Sequence, residues 1–423
     1  MKFSFLKNKF EKLRAIPPAA GTLSPLSLLW AIILFSEKRI KSKIRSQYPD
    51  SEIYFFNSGK SALTVLFQAI QSTTGCKNVW MSAYTCPDIA SSAVKAGAQI
   101  FLFDVDPTSL KPIYPDQSLL LPDDSAGKNA GALVLSNLYG LLDPFPYALM
   151  SNMFIVDDLC QAGLGERSKV NFPLIKVYSF GRGKAFPAGG GGMLVVPRLD
   201  CGENNNLPFQ LLNREIRSIY QNLEGQNFFD SFFYFIKVCL IFIFERPILY
   251  WIPLLVPGLK IGETKVVQDF SVEKGGKIIS AAAMSLLGRK VIDLSRKKRA
   301  LESGYPISIK GVVEPFFINK NSETGSVLIR YPVVLSERLK DEICRDFGEA
   351  QKLGLSLSYP KSISEYEEFC DLFAKSVIQG AKNLAKSVVT LPVHSYSNKG
   401  DVSKIQEYLL KKLELLETKS PDF

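Results

Sequence analysis

The stretch SFGRGKAFPAGGGG, Ser179 to Gly192, places a single lysine, Lys184, among residues that are nearly all small or glycine. The apolar run KVYSF leads into it and the run GGMLVVP leaves it, so Lys184 follows one predicted strand and precedes the next. Glycines in this position allow a tight turn, the close approach of a ligand to the backbone, or simple flexibility. The rest of the chain must decide among these three alternatives.

Short apolar segments alternate with helical ones from residue 51 to residue 200. NVWMS, IFLFDVD, ALVLSNLYG, FIVDD, KVYSF and GGMLVVP are typical of strands, whereas SGKSALTVLFQAI and PDIASSAVKAG are typical of helices. This alternation predicts an α/β fold with a mainly parallel sheet covered on both faces. Ligands of such sheets bind beyond the carboxyl ends of the strands.

The length of 423 residues favours two domains. We predict a basic and apolar N-terminal segment over residues 1–50, a large α/β domain over residues 51–275 and a smaller α+β domain over residues 276–423. In the last region GSVLIRYPVVL alternates like an antiparallel strand. SAAAMSLLGRKVIDLSRKKRALESGY is typical of a long helix, and DVSKIQEYLLKKLELLE of an amphipathic closing helix.

The composition excludes several kinds of chemistry. Hydrophobic residues make up 46% and charged residues 22%, which is typical of a globular chain. The seven cysteines form no C-x-x-C pair and no metal-ligand spacing, which indicates the reduced thiols of a cytoplasmic protein. The single histidine, His394, excludes a multi-histidine metal site and argues against a histidine-centred triad. We therefore predict no metal, and we assign acid–base chemistry to Lys, Asp, Glu, Tyr or Cys.

The net charge of +10 is concentrated in two clusters, residues 1–14 and 37–45. No nucleic-acid-binding motif accompanies them, so we interpret them as a solvated basic face. The apolar run Phe228–Gly258 is interrupted by charges and prolines, which argues against a membrane-spanning helix. A buried helical hairpin or a subunit interface is the simpler interpretation of this run. Peripheral docking on the anionic inner membrane, aided by the basic N-terminus, is the alternative.

The segment SGKSAL, Ser58 to Leu63, places small residues at the predicted start of a helix. It is not the phosphate loop G-x-x-x-x-G-K-[ST], because the first glycine is replaced by Tyr54. Two interpretations remain. The free N–H groups of the helix can hold a phosphate, or Ser58 is an ordinary helix cap.

Two acids, Asp157 and Asp158, end the predicted strand FIVDD, where a turn or helix cap is the plain alternative to a binding role. Lys184 follows a neighbouring predicted strand and brings an amine to the same edge. An amine condenses with an aldehyde cofactor, and a carboxylate keeps the ring nitrogen of such a cofactor protonated. Pyridoxal phosphate needs these two groups together with a phosphate cradle.

Four segments, in this order, resemble the DegT/DnrJ/StrS aminotransferases: NSGKSAL, MSAYTCPDIASSAVKAGAQIFLFDVDP, IVDDLCQAGLGE and SFGRGKAFPAGGGG. The resemblance runs from about Ser51 to Pro197, is weaker in Ser280–Tyr305 and in LPVHSYSNKGDVSKIQEYLLKKL, and is absent from Arg198 to about Lys277. It implies the type I fold of pyridoxal-phosphate enzymes, with a large, mainly parallel sheet domain and a smaller α+β C-terminal domain.

The resemblance also implies roles around the cofactor ring. Lys184 is expected to form the Schiff base with pyridoxal 5'-phosphate. Asp158 is expected to bind the pyridine nitrogen, with Asp157 as the competing choice, because Gln161 follows Asp158 by three residues and is expected beside the ring. Tyr84 is expected to stack on the ring.

For the cofactor phosphate the resemblance implies Lys60 and Ser61, after the glycine of the turn, and Ser179, five residues before Lys184. It further implies a cytoplasmic homodimer that moves an amino group from glutamate to a nucleotide-linked keto sugar for surface polysaccharide. The family's Asn-x-Arg, which helps to bind phosphate from the neighbouring subunit, has no asparagine counterpart in Gly262–Ser280.

Alternatives remain open on both function and individual residues. The function alternatives are another type I reaction (a lyase, decarboxylase or acyl transferase) and a membrane-associated relative without catalytic activity. Arg330, in LIRYP, could meet a substrate carboxylate or phosphate, although a surface or strand-edge position is the simpler interpretation. No role is assigned to His394.

Overall fold

The structure is a computed structural model in which part of the chain is described. The described residues are 14–115, 131–146, 153–163, 170, 172–198, 208–256, 259, 264–287, 312–313, 328–369, 372 and 378–419.

A seven-stranded sheet lies at the centre, with strand order β1-β7-β6-β5-β4-β2-β3. The strands are β1 (Ser51–Phe56), β2 (Asn78–Ser82), β3 (Gln99–Phe103), β4 (Gly131–Leu135), β5 (Met153–Asp158), β6 (Ile175–Ser179) and β7 (Gly192–Pro197). Strands β6, β5, β4, β2 and β3 are parallel, and β7 is antiparallel to both of its neighbours. The predicted mainly parallel sheet is confirmed.

Helices cover both faces of this sheet. They are α1 (Pro25–Leu34), α2 (Glu37–Arg45), α3 (Gly59–Thr74), α4 (Pro87–Lys95), α5 (Phe209–Asn222), α6 (Phe228–Phe244), α7 (Trp251–Leu255) and α8 (Lys277–Leu287). Helices α3, α4 and α5 pack on one face, where Leu66 and Phe154 are buried together. Helices α1, α2 and α8 pack on part of the other face, with Val195 and Ile279 in that cluster.

A three-stranded antiparallel sheet follows, ordered β10-β9-β8. Its strands are β8 (Val312–Val313), β9 (Arg330–Leu335) and β10 (Val388–Pro392), and the helices nearby in sequence are α9 (Glu337–Arg345), α10 (Phe347–Lys352), α11 (Gln379–Ser387) and α12 (Lys399–Lys419). Three short 3-10 helices lie at Leu138–Gly140, Ile363–Glu365 and Glu367–Phe369. The predicted antiparallel strand and closing helix are confirmed, whereas the division of the chain at residue 275 stays a prediction.

Two predicted elements differ from the structure. The long helix over residues 280–305 is described only as far as Leu287, in α8, and its remainder lies outside the described residues. The apolar run of α6 is not a buried hairpin: only Tyr234 and Val238 of this helix are buried. No helix within the described ranges is long and apolar enough to cross a bilayer.

Candidate active site

Lys184 lies in the loop between β6 and β7 and lines a cavity of about 640 Å³. The loop begins at Ser179, the last residue of β6, and turns back on itself where Lys184 N donates to Gly181 O at 3.3 Å. Gly183, with φ +74°, supplies the left-handed residue of this turn. The amine of Lys184 is thereby held, half-buried, beyond the carboxyl end of β6.

The glycines that follow Lys184 let helices approach the loop backbone closely. A Cβ at Gly189 would lie 2.9 Å from Val238 Cγ2 of α6, and a Cβ at Gly191 would lie 2.7 Å from Ile279 Cγ2 of α8. Both contacts are shorter than a side chain tolerates. Of the three alternatives, the tight turn is present at Gly183, and the groups that closely approach the later glycines are two helices of the same chain. The approach of a ligand stays a prediction.

The two acids at the end of β5 face opposite sides of the sheet. Asp158 shares the α3 side with Phe154 and Val156, and its Oδ1 accepts from Cys160 N at 3.0 Å. Asp157 lies on the other side, where its Oδ1 accepts from Asn137 Nδ2 at 2.7 Å. Because successive side chains of a strand face opposite sides, only Asp158 lies on the side where the positive charge of Lys184 lowers the pKa of a carboxyl group.

Burial raises the pKa of Asp158 above the ordinary aspartate value, and this is the largest influence on it. The thiol of Cys160, the positive charge of Lys184 and the N–H of Cys160 lower this pKa, in that order of influence. A buried carboxylate that lacks a full counter-charge is stabilised by a cationic ring N–H. Asp158 therefore suits a protonated pyridine nitrogen.

Four acidic groups influence the charge on Lys184: Cys86, Cys160, Asp88 and Asp158. Burial lowers the pKa of Lys184, these groups together raise it by more, and the net pKa lies above the ordinary lysine value. Burial also raises the pKa of both thiols. The site stabilises a positive charge on the lysine nitrogen.

Gln161 lines the same cavity and is held at both ends of its amide. Its Oε1 accepts from Tyr139 N at 2.9 Å, and its Nε2 donates to Tyr359 Oη at 2.5 Å. Tyr359 also lines the cavity and comes from a segment about 200 positions further along the chain, so no local signal in the sequence announced it.

Tyr84 does not line this cavity. Its ring is 1% exposed and its hydroxyl lies 3.0 Å from Tyr139 Oη, so it lies behind Tyr139 and Tyr359, which do line the cavity. Cys86, two residues later in the same turn, lines the cavity instead. The stacking role of Tyr84 stays a prediction, and the structure brings Cys86 nearer to Lys184 than the sequence suggested.

The N-terminus of α3 meets the end of β6 and forms a narrow cradle. A Cβ at Gly59 would lie 2.9 Å from Ser179 Cβ and 3.3 Å from Ser179 Oγ. Ser58 Oγ caps the helix by accepting from Ser61 N at 3.1 Å. Because Gly59 has no side chain, backbone N–H groups at the helix start and the Ser179 hydroxyl can share one anion.

The other two predicted phosphate ligands take different positions. Ser61 is fully buried, and its hydroxyl donates to Asn57 Oδ1 at 2.5 Å. Lys60 Nζ lies 3.4 Å from Asp88 Oδ1 and 4.8 Å from the ring centroid of Phe270. Ser61 thus supports the cap, and Lys60 lies beside a residue of the cavity wall. Their roles toward phosphate stay predictions.

Arg330 is the first residue of β9 and lines the cavity, rather than lying at the surface. Its Nη1 donates to Ser356 Oγ at 3.2 Å, and its buried Nε has no hydrogen-bond partner within the described part of the chain. Burial lowers the pKa of Arg330. Its Nη2 lies near the Lys184 loop, 3.2 Å from where a Cβ of Gly183 would be. A buried guanidinium in this state favours an anionic ligand.

These residues fit pyridoxal phosphate. Lys184 offers an amine, Asp158 a buried acid and Gln161 a fixed amide, and the close packing of Gly59 against Ser179 brings the N-terminus of α3 beside a hydroxyl, a combination suited to a phosphate. All of them lie at the carboxyl end of the parallel strands or in the loops that follow.

No protein-family model matches the chain, and no curated protein matches it. Solved structures do. A DegT DnrJ EryC1 StrS aminotransferase from Brucella abortus is 18% identical, with a TM-score of 0.61 over 91% of this chain and 95% of that chain. PseC from Helicobacter pylori, an aminotransferase involved in the biosynthesis of pseudoaminic acid, is 14% identical, with a TM-score of 0.65 over 95% of this chain and 100% of that chain.

A further similar structure is NtdA from Bacillus subtilis with bound cofactor PMP, which is 12% identical, with a TM-score of 0.64 over 94% of this chain and 85% of that chain. The similarity to the Brucella and Helicobacter structures covers more than nine tenths of each chain, so it extends over the whole fold. The chain therefore has the fold of the DegT/DnrJ/EryC1/StrS aminotransferases, as its four sequence segments predicted.

Proposed function

We propose that this protein is a pyridoxal-phosphate-dependent aminotransferase. One observation carries the proposal: Lys184 and Gln161 line a cavity of about 640 Å³ beyond the adjacent strands β5 and β6, and the buried Asp158, which ends β5, feels the positive charge of Lys184. Ser179, which ends β6, lies against Gly59 at the start of α3. An amine, a buried acid and an anion cradle in this arrangement match the three groups of one cofactor. The fold shared with solved aminotransferases supports the same reaction class.

When bound, the cofactor holds the amino group between the two substrates and delocalises the electrons released at the donor carbon. Asp158 keeps a positive charge on the ring nitrogen by accepting its N–H. Lys184 takes a proton from the donor Cα and returns a proton to the acceptor carbon, since no histidine lines the cavity. The net reaction exchanges the donor's amino group and hydrogen for the acceptor's carbonyl oxygen, so it requires no oxidant or reductant.

Arg330 binds an anionic group of the substrates, most simply the α-carboxylate of the amino-acid donor, which we propose to be glutamate. Its unpaired Nε and its position beside the Lys184 loop support this role. We propose that the acceptor is a keto sugar, and a nucleotide-linked keto sugar is the first class to screen. The similar structure of PseC, an aminotransferase involved in the biosynthesis of pseudoaminic acid, supports a sugar-type acceptor.

The test is a trapping experiment. The protein is incubated with pyridoxal phosphate, reduced with borohydride and digested, and mass spectrometry locates the label. We expect it on Lys184 in the wild type, unchanged in Lys60→Ala and absent in Lys184→Ala. Glutamate should then convert the cofactor to its amine form with release of one 2-oxoglutarate per site. Release of carbon dioxide would instead indicate a decarboxylase. A label on another residue, or no label at all, would contradict the proposal and favour a relative without catalytic activity.

We further propose a cytoplasmic homodimer that makes peripheral contact with the inner membrane. The apolar outer surface of α1 and α6 supports the membrane contact: Trp30 is 59%, Phe229 68% and Phe233 64% exposed. Aromatic side chains flanked by lysine and arginine are typical of helices that lie in a membrane interface. Light scattering measures the dimer, and vesicle flotation measures the membrane contact.

A further inference from the structure

The cavity around Lys184 has a polar end and an apolar end. Gln161, Arg182 and Arg330 contribute the polar end together with the lysine. A second part of the wall comes from α6 and α7 and carries five aliphatic or phenyl side chains: Leu240, Ile241, Phe244, Ile252 and Pro253. Between these helices the wall also includes Glu245, whose carboxylate is already bonded to Thr22, and Tyr250. A sugar head group finds most of its partners at the polar end.

This apolar wall is fixed in place by hydrogen bonds. Glu245, the residue after α6, is 5% exposed, and its carboxylate accepts from Thr22 Oγ1 at 2.7 Å and from Thr22 N at 3.1 Å. Near the middle of the helix, Tyr234 Oη donates to Gly190 O at 2.9 Å, beside the lysine loop. The wall is thus held by the Lys184 loop near the middle of α6 and by the N-terminal segment at the end of α6.

The apolar wall continues onto the outer surface of the protein. Leu240, Val256 and Leu259 line the cavity and are also 49%, 45% and 54% exposed, respectively. From Leu240 the exposed apolar surface extends along α6 to Phe233. A hydrocarbon chain that starts near Lys184 can therefore leave the cavity without crossing a polar rim on this side.

We propose that the acceptor is amphipathic: its keto-bearing head group lies at the polar end and a hydrocarbon or isoprenoid chain lies along the α6–α7 wall toward the membrane. This inference rests on the proposed aminotransferase function and narrows its acceptor. A nucleotide carrier would place polar edges of its base against the five aliphatic and phenyl side chains of this wall, which cannot pair with them, and this costs free energy. A hydrocarbon chain gains about fourfold in affinity for each methylene that leaves water.

On this proposal, the outer apolar surface contacts the membrane in which the hydrocarbon chain of the acceptor lies. Basic side chains of α2, among them Lys38 and Lys43, are exposed next to α1, whose Leu26 and Ile33 are 67% and 63% exposed. A second copy of this chain carries the same positive charge on the same surface, so the charges of two apposed copies repel. An anionic bilayer complements them.

The first test measures binding and needs no turnover. Methyl, hexyl and decyl phosphate, each below its critical micelle concentration, are titrated calorimetrically into the cofactor-loaded protein. We expect the dissociation constant to fall more than about 100-fold from methyl to decyl phosphate, since several methylenes become buried. Equal dissociation constants for the three probes would overturn the proposal.

A matched pair of variants shows where the hydrocarbon chain of the probe binds. Leu240→Asn changes a residue of the cavity rim, and Ile243→Asn changes a residue of the same helix that is 45% exposed and does not line the cavity. We expect Leu240→Asn to weaken decyl phosphate at least tenfold while methyl phosphate is unaffected, and Ile243→Asn to change neither. Equal losses of decyl phosphate affinity in both variants would place the hydrocarbon chain on the outer surface of the protein and contradict the proposal.

A second test separates this inference from the proposed function. The glutamate-treated protein is mixed with one keto sugar carried either on uridine diphosphate or on farnesyl diphosphate, and amine transfer is followed by mass spectrometry. We expect the farnesyl-linked acceptor to be favoured at least tenfold in kcat/KM. If glutamate produces no amine form, the proposed function fails while the binding series still stands. If the uridine-linked acceptor is preferred, the function stands and the inference fails.

Discussion

At the scale of single residues, the two carboxylates that end β5 have separate tasks. Asp158 lies on the side of Lys184, and Asp157 accepts from Asn137 on the other side. We expect Asp158→Asn to lower glutamate turnover at least 100-fold, because an amide cannot keep the ring nitrogen protonated. Asp157→Asn should retain turnover per folded molecule but lose about 1–3 kcal/mol of unfolding free energy, because it disturbs a buried hydrogen bond. Equal turnover losses would contradict this assignment.

The raised pKa of Asp158 also predicts how the cofactor-free protein responds to pH. Burial raises this pKa, so the folded state binds the proton more tightly than the unfolded state does. The stability contributed by the protonated acid is present at low pH and is lost as the pH rises through the folded-state pKa. Thermal unfolding of the wild type and of Asp158→Asn, compared from acidic to neutral pH, should show the wild type losing more stability. A difference independent of pH would show that burial does not govern this carboxyl.

Gly59 tests the anion cradle. In Gly59→Ala the new Cβ would lie 2.9 Å from Ser179 Cβ, so the end of β6 and the start of α3 must move apart. We expect the dissociation constant of pyridoxal phosphate, measured by fluorescence, to rise at least tenfold, because charge-assisted hydrogen bonds depend on donor geometry. The matched control is Gly225→Ala, where a Cβ meets nothing within 4 Å. Similar affinities in the two variants would remove Gly59 from the phosphate site.

At the scale of secondary-structure elements, the sequence predicts what local pattern determines and misses what depends on long-range packing. NVWMS and FIVDD announce β2 and β5 because continuous apolar runs bounded by polar residues are typical of buried strands. The edge strand β1, SEIYFF, was not singled out, since its partner β7 lies about 140 residues away and no turn joins them. The apolar composition of α6 could not reveal exposure, because exposure depends on which elements pack against the helix.

The residues of the candidate site show the same contrast between local pattern and long-range packing. Lys184 and Asp158 stand at strand ends, where period and topology already place ligand-binding groups. Cys86 lines the cavity and Tyr84 does not, a difference that the sequence could not predict because the chain turns after β2 and a turn breaks the alternation by which side-chain direction is inferred. Arg330 reaches the cavity only because β9 packs near the Gly183 turn, a contact between positions far apart in the chain.

The attachment of α6 gives a prediction for one element. Thr22→Val removes the hydroxyl that donates to the buried Glu245 carboxylate at 2.7 Å and keeps the size of the side chain. We expect a loss of about 1.5–3 kcal/mol in unfolding free energy, measured by urea denaturation, because the accepting group is charged and buried. Thr418→Val, on an exposed position of α12, serves as the control and should be neutral. Equal effects would mean that Glu245 does not hold the helix.

At the scale of the whole molecule, the exposed apolar residues and the basic charge occupy neighbouring elements. Helix α1 packs against α6, and α1 and α2 both pack on α8, so one surface combines Trp30 and Phe233 with the lysines of α2. Apolar burial and electrostatic attraction add in binding to a membrane interface. The basic residues interpreted from sequence as a solvated face thus acquire a second, testable role.

The last prediction follows from that combination of charge and apolar surface. Lys38→Gln with Lys43→Gln should weaken binding to mixed phosphatidylcholine and phosphatidylglycerol vesicles about 30-fold, because each lysine near an anionic surface contributes about 1 kcal/mol. Lys404→Gln with Lys411→Gln removes two exposed charges of α12 and leaves the net charge of the two variants equal. If α1 and α6 face the bilayer, only the first pair of changes weakens flotation, and raised salt abolishes the difference. Equal losses would indicate attraction by net charge alone. If the wild type does not bind these vesicles and forms a dimer that dissociates in Phe233→Ser, this surface is assigned to a second copy of the chain.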